Sequence, residues 1–131
     1  MAQKEIEVIL TRQLASYLAM PIFIVDRDGT LLFFNEPAEA ILGKRFEETG
    51  EMVAAEWASA FMPTDERGEP LAPETLPLII ALYQRKPAHR SLWIRGLDNV
   101  PRHIEATAFP LIGQGGRNLG AVAIFWETNP P

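Results

Sequence analysis

Apolar residues recur at the start of the chain at Ile6, Ile9, Leu10, Leu14, Tyr17 and Leu18, spaced by threes and fours. That period predicts an amphipathic helix over residues 1–18, with Glu5, Glu7, Arg12 and Gln13 among its polar positions and Pro21 as its stop. The pattern then changes. Ile22-Phe23-Ile24-Val25 and Leu31-Leu32-Phe33-Phe34 are β-branched and aromatic runs on either side of Asp28-Gly29, which predicts a hairpin. Neither run alternates with polar residues, so both faces of this hairpin are expected to be covered.

Asn35-Glu36-Pro37 sets a capping asparagine ahead of a proline in the first helical turn, and Gly43 supplies a stop, so a short helix is expected between them. Short helical turns follow around Met52, Val53, Trp57, Ala60 and Phe61, and then a solvated stretch from Thr64 to Pro70. A stronger helix is predicted from Glu74 to Arg85, with Leu76, Ile79, Ile80 and Tyr83 on its buried face. Three strands close the chain: Ala88 to Arg95, Arg102 to Leu111 and Ala121 to Thr128. Gly96-Leu97-Asp98-Asn99 and Gly113-Gln114-Gly115-Gly116 join them as antiparallel neighbours. Two hairpin blocks separated by helices predict an α+β domain with one antiparallel sheet and helices on one face.

Composition narrows the picture. The 131 residues suit one domain, and 47% of them are hydrophobic, as in globular chains. A net charge of -5 speaks against nucleic acid or an anionic membrane as partner. The chain has no cysteine, which excludes disulfides, thiolate chemistry and cysteine-ligated metal. No apolar run reaches the roughly 20 residues of a membrane span, and the first residues form no signal peptide, so a cytoplasmic protein is expected.

Over Leu18 to Thr128 the residues resemble the PAS family. The resemblance is carried first by Pro21-Ile22-Phe23-Ile24-Val25-Asp26-Arg27-Asp28-Gly29, Asn35-Glu36-Pro37-Ala38 and Ile41-Leu42-Gly43. Gly68-Glu69-Pro70-Leu71, Leu76-Pro77-Leu78 and Ala81-Leu82 follow. Ile104-Glu105-Ala106-Thr107, Phe109-Pro110-Leu111, Leu119-Gly120 and Phe125-Trp126-Glu127-Thr128 complete it. No piece is specific alone; their order and spacing are. The resemblance implies a five-stranded antiparallel sheet cupping a cavity under the helices, and a role in sensing or dimerisation. It divides the chain into a flanking helix (1–18), the PAS-like domain (19–128) and a tail (129–131).

Aligned on that family, strand alternation points Phe23, Val25, Leu32, Phe34, Leu92, Ile94, Ile104, Ala106, Ala108, Ala123 and Phe125 toward the helices. The expected ligand site comprises Phe23, Phe34, Leu76, Ile80, Tyr83, Ile94, Ile104, Ala106 and Phe125, and its ligand would be small and largely apolar. A cavity and a core filled by Trp57 and Phe61 share this composition, so a ligand-free dimerisation module remains the alternative. The family's cofactors fit poorly. Photoactive flavin adducts and the coumaroyl chromophore need a cysteine, and the haem-binding relatives use a histidine on the long helix, which Glu74 to Arg85 lacks. No cofactor is assigned.

Catalytic and metal chemistry finds little support. His103 and Glu105 share a strand face, but two ligands fall short of a zinc site. Residues 113–120 lack the helix a phosphate loop requires. Ser16, Ser59 and Ser91 show no base beside them in sequence. The chain is therefore read as a non-enzyme. The opposite sheet face, assigned Ile22, Ile24, Leu31, Phe33, Trp93, Val122, Ile124 and Trp126, is too apolar to stay wet. The N-terminal helix and a second copy are expected to cover it, giving a homodimer.

Overall fold

The computed structural model describes residues 6–129. The first five residues of the expected flanking helix and the last two of the expected tail lie outside the described residues. The elements run α1 (Ile6–Ala15), β1 (Ile22–Asp26), β2 (Leu31–Phe34), α2 (Glu36–Leu42), α3 (Phe46–Thr49), α4 (Ala54–Phe61), α5 (Pro77–Gln84), β3 (Ala88–Arg95), β4 (Pro101–Ile112) and β5 (Asn118–Glu127). The five strands form one antiparallel sheet in the order β2-β1-β5-β4-β3. The main core lies between its inner face and α2, α4 and α5, while α1 lies on the outer face.

Local chemistry explains the punctuation. Asp26 turns the β1–β2 hairpin by accepting at Oδ1 from the backbone N–H groups of Asp28 (2.9 Å) and Thr30 (3.0 Å). Asn35 caps α2 by accepting from Ala38 N–H, and Gly43 ends that helix in the left-handed region at φ 85°. A side chain at Gly43 would also collide with Asp98, its Cβ 2.7 Å from the backbone nitrogen, so glycine serves both geometry and space.

Three expectations are corrected. In β2, Val25 pairs with Leu31 while Ile24 pairs with Phe33, so an extra residue bulges between them. The bulge reverses the alternation: Leu31 enters the main core, and Leu32 packs on the outer side with Val8 and Leu119. The long helix also starts late. Pro73–Thr75 forms a 3₁₀ turn and Leu76 is extended, so α5 begins at Pro77 and buries Leu78, Ala81 and Leu82. Ile80 is only half-buried and Tyr83 is 65% exposed.

The third correction concerns α1. It docks through Val8, against Leu32 and Leu119, and Ala15, against Ile22, Ile24 and Val122. The stripe expected to be buried faces out: Ile6, Ile9, Leu10, Leu14, Tyr17 and Leu18 are all exposed. The physical reason is the close approach at the small residue Ala15, which turns the large side of the helix away from the sheet. Ile22, Ile24 and Val122 need only a small residue above them, and Ala15 lets the helix approach. Buried Asn35 then fastens the far end. Its Nδ2 donates to the carbonyls of Ala15 and Met20, each at 2.8 Å, and its Oδ1 accepts from Ile22 N–H at 3.0 Å. One amide thus joins α1, β1 and α2.

A polar latch closes the end of the sheet beside α2. Arg102 grips Asp98 with two nitrogens (3.0 and 2.8 Å) and donates to the Ile41 carbonyl (2.8 Å). The Arg102 hydrogen bonds hold the Asp98 carboxyl down to about 2. Because this lies below the ordinary carboxylate value near 3.9, the latch contributes fully above roughly pH 5 and is lost as pH falls toward 2. The parent is therefore expected to melt above Asp98→Asn at neutral pH, with the gap closing between about pH 4 and 2 in thermal unfolding. A gap independent of pH would remove Asp98 from this role.

Candidate ligand cavity and outer sheet face

Between the inner sheet face and α4 and α5 lies a cavity of about 100 Å³. The pleat of the sheet builds its floor. Phe23 of β1, Leu92 and Ile94 of β3, Ile104 and Ala106 of β4, and Ala123 and Phe125 of β5 occupy alternate, inward positions. The roof comes from Trp57 and Phe61 of α4 and from Leu76 and Leu78 around the start of α5, with Leu42 at one end. Half-buried Ala58 and Pro63 mark the solvent side.

The aromatic rings define the wall. Phe23 meets Trp57 edge-on at 5.4 Å and Phe61 at 6.2 Å between centroids. The indole N–H of Trp57 is taken by the Gly29 carbonyl at 2.7 Å, which ties α4 to the β1–β2 turn. Every lining side chain is apolar apart from that satisfied indole. The cavity therefore offers no donor, acceptor, acid, base or metal ligand from a side chain. Its chemistry is dispersion and desolvation.

Of the expected site residues, Phe23, Leu76, Ile94, Ile104, Ala106 and Phe125 line this space together. Phe34 does not. It is fully buried one layer back, stacked on Phe23 with centroids 6.3 Å apart. Ile80 and Tyr83 are removed from the lining by the late start of α5. Leu42 and Leu78 were missed, because their inward positions depend on where α2 ends and α5 begins. Trp57 and Phe61, expected as possible filling, instead form the roof.

The outer face of β3 and β4 holds the polar side chains. Ser91 lies opposite Glu105 in the ladder, and its hydroxyl donates to that carboxylate. His89 Nε2 donates to the other Glu105 oxygen at 2.7 Å. These bonds, Ser91 first and then His89, hold Glu105 below the usual carboxylate range. Ser91 thus has an acid and a histidine nearby that sequence alone did not place there; the β3–β4 register brings them together. The hydroxyl bonds to the carboxylate and not to the imidazole, unlike a nucleophile–base pair. His103 shares the face but does not join Glu105. It is buried, with its ring against Trp93 at 5.2 Å and Nδ1 hydrogen-bonded to the Thr128 hydroxyl at 2.8 Å. Among the described residues no group of three or more histidine or acidic side chains is placed to hold a metal ion. No helix among them is long and apolar enough to cross a membrane.

No protein-family model matches the sequence, and no curated protein does. Solved structures do. The PAS domain of Bordetella pertussis BvgS superposes with a TM-score of 0.61 at 16% identity, covering 95% of this chain and 87% of that one. The PAS domain of nitrogen regulation protein NR(II) from Vibrio parahaemolyticus gives 0.63 at 15% identity, covering 91% and 98%. The Rhodobacter sphaeroides LOV protein gives 0.73 at 14%, covering 95% and 69%. The chain has the PAS fold, as the sequence resemblance implied.

Proposed function

We propose that this domain is a sensory module whose input is occupancy of the sheet–helix cavity by a small, largely apolar ligand. Its output is a change in the packing of α1 and of a homodimer, passed to an attached domain or partner. The observation that carries the reading is the cavity: about 100 Å³ with a wholly apolar lining, open toward solvent beside Ala58 and Pro63. Apolar lining of this kind binds by dispersion and desolvation, as an enclosed apolar void of ~150 Å³ that accepts benzene or xenon illustrates. The lining also speaks against the family's larger cofactors. It presents no amide to a flavin ring and no histidine to a haem, and the chain has no cysteine for an adduct. With no acid, base or nucleophile inside the cavity, the reading is regulatory and not catalytic.

Benzene serves as the test probe. At about ten times its dissociation constant it should stabilise the parent by about 1.4 kcal/mol, a rise of roughly 4 °C in melting temperature. Methyl NMR should show Ile94 and Ile104 shifting most. Ala106→Leu fills part of the space and should abolish the response while the domain stays folded. If the parent neither shifts nor melts higher, the cavity is no input site, and the ligand-free dimerisation module takes its place.

A further inference from the structure

We infer that the free edge of β3, at His89 and Ser91, takes an extended segment of a partner protein as a sixth strand. That segment carries a basic residue opposite Ser91 and an acidic residue opposite Arg90.

The third strand, β3, is an edge strand with β4 on one side only. On its open side Thr64 N–H donates to the Trp93 carbonyl at 2.9 Å, and Trp93 N–H donates to the Thr64 carbonyl at 3.0 Å. Bonding groups alternate sides along an antiparallel strand, so those of Ser91 and His89 point the same way as those of Trp93. Continued in register, the chain after Thr64 would cover them. It turns back instead at Asp65, whose Oδ1 accepts from the N–H groups of Arg67 (2.9 Å) and Glu69 (3.0 Å). Thr64 then bridges to Pro70, and the turn stands off from β3 across a groove of about 480 Å³. Among the described residues nothing bonds to the His89 and Ser91 backbone on that side, and both residues are exposed.

Charge identifies the occupant. Arg90 is half-buried beside the groove and pairs with no carboxylate among the described residues. The residue opposite it in an added strand lies on the same face, where an acidic side chain completes a cross-strand pair. On the other face, Ser91 and His89 hold the Glu105 carboxylate over β3. An added strand would run about 4.8 Å away, so a lysine or arginine opposite Ser91 reaches that carboxylate. A second copy fails in each register. Centred on Arg90, it sets Arg90 against Arg90; centred on His89, it brings Ser91 to Pro87, which has no N–H. Centred on Ser91, it brings His89 to Trp93, which Thr64 already occupies.

The test titrates the full chain with the peptide acetyl-Lys-Glu-Val-Thr-Val-amide, up to about 10 mM to span the millimolar affinities of short segments. The amide signals of His89 and Ser91 should shift most and exchange more slowly. Methylating the peptide nitrogens of Lys and the first Val removes both donors to β3 and should weaken binding on the order of 10-fold. Arg90→Glu should weaken it about fivefold, and a peptide with Lys in place of Glu should restore it. Where that variant does not fold, the same two peptides compared on the parent make the measurement. No response at His89 and Ser91, or equal binding of the methylated peptide, overturns strand addition. Exchange at these two amides that slows with protein concentration alone shows pairing of copies and overturns the partner. Equal binding of the Glu and Lys peptides overturns the charge assignment. None of these results bears on the cavity, whose readout is benzene binding.

Discussion

Phe34→Asp is expected to leave the domain unfolded at room temperature. Phe34 has no exposed surface, stacks on Phe23, and meets Phe46 edge-on at 5.3 Å. Removing a buried phenylalanine costs about 3–5 kcal/mol. An unpaired carboxylate in the same place adds several more. Together these equal the stability of many ordinary domains, which lies at ~5–15 kcal/mol. Circular dichroism and amide NMR should show a denatured chain, whereas Phe34→Leu should fold with a lowered midpoint. An aspartate variant that melts near the parent would mean that Phe34 does not point inward, and the bulge in β2 would be misplaced.

Asn35→Leu is the second large effect. The substitution keeps the volume but removes an amide that serves Ile22 N–H, Ala38 N–H and the carbonyls of Ala15 and Met20. Each buried group left without a partner costs about 1–3 kcal/mol, so a loss of at least about 3 kcal/mol is expected in denaturant unfolding. Asn35→Asp separates the two halves of the role. The carboxylate still accepts from Ile22 and Ala38 but cannot donate to Ala15 and Met20. Hydrogen exchange should therefore quicken in α1 well before β4. Unchanged protection of α1 in both variants would show that Val8 and Ala15 alone keep the helix docked.

Much of this was legible in the sequence because the informative residues act locally. Asn35 and Gly43 cap and end α2 through backbone a few residues away, as their types predict, and Asp28-Gly29 marked the hairpin whose turn Asp26 closes. The floor of the cavity was legible too: a period of two along β3, β4 and β5 gives the alternation, and the family resemblance gives which phase faces inward. What failed depended on phase or on competition between distant surfaces. Leu31 and Leu32 exchange faces because of one bulged residue, which nothing in Leu31-Leu32-Phe33-Phe34 marks. Tyr83 left the site because Leu76 is extended, so the assumed helical face was never continuous. The stripe of α1 was recognised, but its direction was not. A helical period shows that one face is apolar, and only the close seat of Ala15 on Ile22, Ile24 and Val122 shows that the opposite face is the one that docks.

The strand order carries a consequence for how the chain assembles. Among the described residues β5, the last strand in sequence, lies in the middle of the sheet and alone pairs the β1–β2 ribbon to the β3–β4 hairpin. Its partners in β1 are roughly a hundred residues away, as in the pairing of Ile22 with Ile124, so loop-closure entropy must be met before those contacts form. During synthesis each hairpin can pair with itself, but the two cannot share a core until β5 has left the ribosome. Until then the apolar floor of the cavity stays open to solvent, and nascent chains are most exposed to mispairing at Phe23 and Ile24, on the side of β1 that β5 later occupies.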